Sequence, residues 1–271
     1  MFRDIDVPVL LTRTGKRRNA ADVRCEMEER SQQNQYRSIR NYLEKPIPQE
    51  VLNDVLEAAW RGPTSSNCQQ VSLVVVQDAE RRRQIAEIAG GQAYIAQAPV
   101  FVCFVADFYK TSLAVEAAGE KQLIHESVEG FAVGAVDVGI AMGNLLTAAR
   151  AAGLGVVPIG GIRKDSAAMV RLLNLPPMTF PLTGVVLGYP AVEGSRKPRL
   201  PFESFVHNES YNREVLAESI KDYDETILSY WREVGRKDGE TWSASVAKRY
   251  KQVYFPDVGS VARAQGFKLD Q

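Results

Sequence analysis

The sequence predicts one α/β or α+β domain in which helices cover a central sheet. Three observations carry this reading. Short β-branched runs of buried-strand length alternate with helical patterns. No period of 20–50 residues repeats, which removes solenoids. A long apolar segment over residues 129–152 is far longer than a strand and supplies a central helix. Composition agrees, since 45% hydrophobic and 24% charged residues are ordinary for a globular chain of 271 residues.

In chain order, residues 1–34 form a polar leader, with an exposed helix over 19–35 capped by Asn19. Acidic residues precede the short apolar run at the N-terminus, so it does not fit a signal peptide. Over residues 48–61, Val51, Leu52, Val55, Leu56 and Ala59 share one helical face, and the preceding Pro46 and Pro48 suit a helix start. Residues 71–77 and 99–106 read as strands, and 78–89 as a helix opening on an Asp78 cap.

The 129–152 segment is apolar almost all round, so it is expected to be buried. Its length also suits a membrane span, but Asp137, Asn144 and Arg150 within it and the lack of flanking basic loops weigh strongly against one. Its glycines permit close backbone approach, as at the centre of a domain or a dimer interface. Residues 154–158 and 182–187 are further strands, flanking an Asp165-capped helix that runs to Leu173. A proline- and charge-rich loop follows Gly188, then a helix over about 213–234, then a polar tail over 236–271 that is only partly regular.

Thirty-three basic residues balance thirty-three acidic ones, so long-range steering toward nucleic acid or an anionic membrane gains no support. Three scattered cysteines without a CxxC fit a reducing cytoplasm, and only two histidines, far apart in the chain, give no metal site.

Four segments have chemical potential. Arg37-Ser38-Ile39-Arg40 sets two guanidiniums and a hydroxyl close together, a compact receptor for phosphate oxygens, although a solvated basic turn has the same composition. Thr64-Ser65-Ser66-Asn67-Cys68-Gln69 is a donor- and acceptor-rich loop suited to the polar edge of a planar heterocycle, or an ordinary polar turn. Gly153 to Gly161 carries glycines that let backbone lie against a flat ligand, but it is not GxGxxG in a strand–turn–helix context, so a Rossmann fingerprint is not read. Lys197-Pro198-Arg199-Leu200-Pro201 holds two cations at a spacing stiffened by prolines.

The order and spacing of these segments resemble the nitroreductase family, in its larger NADPH-preferring flavin reductase and nitroreductase branch. The matching runs are Arg37–Arg40 with Pro46, the Thr64–Ser66 loop, and Gly90-Gly91-Gln92 with Ala96-Gln97-Ala98. They continue through Ile159-Gly160-Gly161-Ile162-Arg163, Pro181-Leu182 with Gly188, and Lys197–Pro201, covering roughly residues 35–234. The resemblance implies an α+β nitroreductase-like fold over 35–271, with a mostly antiparallel sheet and a C-terminal helical excursion. It also implies an intertwined homodimer with two FMN molecules at the interface.

Carried over residue by residue, the resemblance gives Arg37, Ser38 and Arg40 the FMN phosphate and ribityl chain. Lys197 and Arg199 close on the phosphate and the pyrimidine end. Thr64, Ser65 and Ser66 line the ring edge from the partner subunit, Gln92 bonds the ribityl or ring, and the backbone of Ile159, Gly160 and Gly161 lies along the ring. Arg232, Arg236 and Lys237 are the candidates for the NADPH 2′-phosphate, with NADH as the other donor. The implied activity is ping-pong hydride transfer through FMN to nitroaromatics, quinones or free flavins, without a protein nucleophile. The alternatives are different flavin chemistry, such as dehalogenation or flavin destruction, and a flavin-binding regulatory or storage role. Tyr36, Asn67 and Pro158 depart from the branch's usual residues around the ring.

Overall fold

The structure is a computed structural model that describes residues 34–269. The helix expected over 19–35 lies outside the described residues except for its last two positions, which form a turn. All elements below belong to the unit Arg37–Gln271. They are α1 (Gln49–Trp60), β1 (Val71–Val76), α2 (Ala79–Ile88), α3 (Ala93–Gln97), β2 (Val100–Asp107), α4 (Tyr109–Ala117) and α5 (Val128–Ala151). Then follow β3 (Gly155–Ile159), α6 (Ser166–Leu172), β4 (Thr179–Gly188), α7 (Leu216–Glu233), α8 (Trp242–Tyr250) and α9 (Val258–Ala264).

The four strands pair in the order β1-β2-β4-β3, every neighbour antiparallel. β2 is buried along nearly its whole length because helices cover both sheet faces, which explains a continuous apolar run instead of alternation. On one face Phe101, Cys103 and Val105 pack with Ile85, Ile95, Ile162 and Met169. On the other face lies α5, whose Gly134 fits against Ala106 and Phe108. Pro158 sits in β3, an edge strand where a missing N–H is tolerated. In β4, Pro181 falls at a register shift, where Thr183 and Pro181 oppose the consecutive residues Phe104 and Val105. Leu182 is therefore the extra residue of a bulge.

Local chemistry explains the helix starts. Asp78 accepts from Arg81 N–H at 2.8 Å, and Asp165 from Ala168 N–H at 2.8 Å, both as the sequence predicts. Ser127 caps α5 through Gly130 N–H at 3.1 Å. A side chain at Gly130 would drive into the Ile124 carbonyl, so that turn requires glycine.

Three expectations need correction. The long apolar helix is not buried all round: α5 buries one face, while Val136 is 61% exposed and Gly139 and Gly143 have no atom within 4 Å of a would-be Cβ. A nearly uniform apolar composition cannot tell the face meeting the chain's own sheet from a face left for another surface. The tail is more regular than expected, forming α8 and α9. Its end is docked by Phe267, which makes edge-to-face contacts with Phe108 and Phe131 at 5.9 and 5.8 Å. The short helices α3 and α4 were not anticipated, since neither is long enough to establish a clear helical period.

Candidate functional site

Residues 37–40 run beside the start of β3, where Ile39 N–H donates to the Val156 carbonyl at 3.1 Å. Gly155 makes this approach possible, because a Cβ there would lie 2.7 Å from Ile39. Arg37 reaches the exposed Glu193 carboxylate at 2.8 Å. Arg40 lies over the Tyr94 ring at 5.8 Å, and the Tyr94 hydroxyl donates to Gln92 Oε1. Gln92 in turn donates to the Ala89 carbonyl at 2.7 Å and packs against Gly161. Thus Arg40, Gln92 and the Gly160–Gly161 strip, far apart in sequence, form one chain of contacts.

That strip begins where β3 ends at Ile159, and a 3-10 turn runs from Gly160 to Asp165. Arg163 braces the turn by donating to the Leu182 carbonyl on the β4 bulge, and its guanidinium lies 5.8 Å from the Phe255 ring centroid. Ile159 itself is buried, so the strip offers backbone rather than that side chain.

The Lys197–Pro201 loop is held by α7. Tyr223 Oη donates to the Pro198 carbonyl at 2.8 Å, and Ser195 and Tyr230 share a 2.5 Å hydrogen bond. Partial burial holds the Lys197 ammonium below the usual lysine range, and the neighbouring Arg40, Arg236, Arg199 and Arg249 push it the same way. Among the described residues, no ion pair joins Lys197, Arg40 or Arg199 to a carboxylate. Arg236 is offset by Asp238 at 3.1 Å. Of the other two candidates in this region, Arg232 bonds Ser229 and Lys237 is exposed.

The Thr64–Gln69 loop lies elsewhere. Ser66, Asn67 and Gln69 adopt left-handed backbone with φ of 50°, 55° and 55°. Asp137, 3% exposed on α5, anchors the loop. Its carboxylate accepts from Ser65 N–H at 3.1 and 3.2 Å and from Gln70 Nε2 at 2.6 Å. Thr64 Oγ1 accepts from Gln69 N–H at 3.1 Å. The loop opens on a cavity of about 590 Å³ lined by Trp60, Thr64, Asn67, Ser72 and Lys110. It precedes β1, and the glycine strip follows β3, so the two lie on opposite sheet edges. Three inter-strand steps separate those edges, about 14 Å.

Three residues in this geometry were not read from the sequence as site components: Asp137, Trp231 and Arg249. Asp137 left a signal, a carboxylate in the middle of a mostly apolar helix, which is expensive to bury unless it is bonded. Trp231 and Arg249 carry no local motif, and only the folding of α7 and α8 brings them to Lys197.

The arrangement can hold a polyanion against unpaired cations, beside backbone bare enough for a flat ring. Comparison with known proteins finds relatives along most of the chain. Residues 34–189 match the profile described as Nitroreductase family, and residues 197–270 match Nitroreductase family, C-terminal domain. The chain is 43% identical over 239 residues to the FMN reductase (NAD(P)H) of Bacillus subtilis (strain 168), covering 87% of this chain and 96% of that one. It is 37% identical over 218 residues to an NADPH-dependent oxidoreductase of Staphylococcus haemolyticus (strain JCSC1435), covering 78% and 86%. The solved structure of the hypothetical oxidoreductase YcnD from Bacillus subtilis superposes with a TM-score of 0.87 at 41% identity, covering 90% and 99%.

Proposed function

The chain belongs to the nitroreductase family, and from that premise we propose that it is an FMN-dependent NAD(P)H oxidoreductase reducing nitroaromatics, quinones or free flavins. The observation that carries the reading is the gathering of Lys197, Arg40 and Arg199 without a carboxylate partner, linked through Tyr94 and Gln92 to the Gly160–Gly161 strip. These residues fit FMN: the cations suit its phosphate and the bare backbone its ring. When bound, FMN supplies the hydride carrier between nicotinamide and acceptor.

The chain's own residues would do the rest. Lys197, Arg199, Arg40, Arg37 and Ser38 would hold the phosphate end, and Lys197 would also offset negative charge gained on reduction by a fixed positive field. Gln92 would orient the ring against Ile159, Gly160 and Gly161. Thr64, Ser65 and Ser66 would serve the flavin of a partner subunit, since within one chain their loop lies on the far sheet edge from the strip. The apolar outer face of α5 and the 66% exposed Trp60 support a homodimer built on that side. Arg236 is the favoured contact for the donor's 2′-phosphate, because it lies against the same Trp231 ring as Lys197. The domain runs from 35 to 271 behind the 1–34 extension, and the enzyme works in the cytoplasm.

The test is an FMN titration of the flavin-stripped protein followed by steady-state turnover with NADPH and NADH over a panel of acceptors. Absorbance near 450 nm should stay with the protein after unbound FMN is removed, and Arg37→Ala should weaken binding by about 1.5–3 kcal/mol through loss of a charge-assisted contact. A protein that stays colourless, or that binds FMN but accepts no electrons from either donor, defeats the proposal.

Lys197 also gives a pH signature. Its ammonium is lost at a pH below the usual lysine value of 10.5, so FMN affinity should begin to fall below that range. Stability of the flavin-free protein should move the other way. In that window the unfolded chain binds the proton more readily than the folded one, so rising pH removes an unfavourable folded charge. Lys197→Arg, which stays charged throughout, should abolish the alkaline loss of affinity. Identical pH profiles for both proteins would remove Lys197 from the phosphate site.

A further inference from the structure

We propose that Trp231 is a positioning residue that couples the nicotinamide-donor side of this site to its flavin side. The inference rests on the reading of Arg236 as a donor contact and Lys197 as a flavin contact. Sequence reasoning assigns those two cations to separate ligands; in the structure they share one indole. The Lys197 ammonium lies 5.3 Å from the Trp231 ring centroid and the Arg236 guanidinium 4.5 Å.

The ring also shapes the loop that carries Arg236. Gly235, with φ of 70°, turns the chain after α7, and Arg236 N–H returns to the Trp231 carbonyl at 2.8 Å. Trp231 Nε1–H donates to the Glu240 carbonyl at 3.1 Å, closing the loop from the other end. Gly239 lies so close under the indole that it has no room for a Cβ. The guanidinium of the donor arginine and the far end of its loop are therefore both referenced to the ring that supports the flavin-side lysine.

The physical consequence is a linkage. Lys197 and Arg236 are like charges 5.3 and 4.5 Å from one ring centroid, so they repel, and the electron-rich indole face offsets part of that repulsion. An anion arriving beside either cation relieves the other. Flavin phosphate and donor 2′-phosphate should therefore favour each other's binding, with the geometry set by Trp231. NADH lacks the 2′-phosphate and should be largely indifferent to the ring.

The test uses equilibrium titrations of the holoenzyme with NADP+ and NAD+, FMN titrations of the flavin-free protein, and thermal unfolding. The variants are Trp231→Leu, Trp231→Phe and Arg236→Ala. Trp231→Leu should raise the NADP+ Kd about tenfold, leave NAD+ within about twofold, and raise the FMN Kd at least about threefold. Trp231→Phe restores a ring without the indole N–H, so it should recover most of the FMN affinity but little of the NADP+ affinity. This variant also stands in should the leucine variant not fold.

NADP+ and NAD+ weakened alike, or both NADP+ and FMN Kd unchanged, would overturn the proposal. Arg236→Ala separates the underlying reading from the inference. If that variant keeps NADP+ affinity, the donor role of Arg236 falls and the coupling falls with it. If it loses NADP+ affinity while Trp231→Leu does not, the donor role stands and the coupling alone is refuted.

Discussion

Asp137→Ala is expected to lower the unfolding free energy by about 2–4 kcal/mol, because it strands donors that have no other acceptor of this quality nearby. The lost partners are Ser65 N–H, bonded at 3.1 and 3.2 Å, and the Gln70 side-chain amide at 2.6 Å. Gln70 is 2% exposed, so water cannot readily replace the carboxylate there. Ser65 lies at the surface, which keeps the expected loss below that of two fully buried donors. The same change should release the loop, since three of its residues hold left-handed backbone that the anchor helps to maintain. FMN affinity should therefore fall together with stability. Asp137→Asn should cost less, because it keeps one acceptor oxygen while turning an amide toward a donor. Urea unfolding checks the first effect and flavin titration the second. A stability change within about 0.5 kcal/mol for Asp137→Ala, the size of an ordinary surface substitution, would show that the carboxylate does not anchor the loop.

Gly161→Ala should be the most damaging single-methyl change at the proposed ring strip. Its Cβ would overlap Gln92 Nε2 and come within 2.9 Å of the Ala89 carbonyl oxygen. The glutamine could swing away, but the carbonyl is backbone beside the end of α2 and already accepts the Gln92 amide at 2.7 Å. Relief therefore displaces both groups. Overpacking of this kind costs about 1–3 kcal/mol, and loss of the Gln92 contact should weaken FMN about tenfold. Gly259→Ala is the matched control. A Cβ there meets Arg263 at an ordinary 3.5 Å in α9, and alanine is the better helix former by roughly 0.5–1 kcal/mol. Equal flavin affinities for the two variants would take Gly161 out of the ring site.

Much of the fold was legible along the chain because its determinants are local. The capping aspartates Asp78 and Asp165, the face of α1 and the apolar runs of β1 and β2 each act over a few residues, and each lies close to where it was expected. The start of β4 was harder. Pro181 argues against an extended central strand, and only the bulge opposite Phe104 and Val105 accommodates it. The C-terminal helices depend on partners distant in sequence. Phe267 finds Phe108 and Phe131, and the Gln265 side chain donates to the Pro176 and Thr179 carbonyls at 2.9 and 3.0 Å.

The sequence by itself determined the family, the antiparallel helix-covered sheet and the cations proposed for the flavin, because motif order and residue type survive without coordinates. The FMN reading stands on those residues. Tertiary structure alone decided which of those groups meet. It brought Lys197 beside Arg40 and Arg236, separated the Thr64–Ser66 loop from the glycine strip by the width of the sheet, and turned Asp137 toward Ser65 and Gln70. The physical reason is range. Capping, periodicity and propensity act over a few residues of chain, whereas charge repulsion, ring contacts and buried hydrogen bonds act over a few ångströms of space. Strand order and helix packing convert one scale into the other.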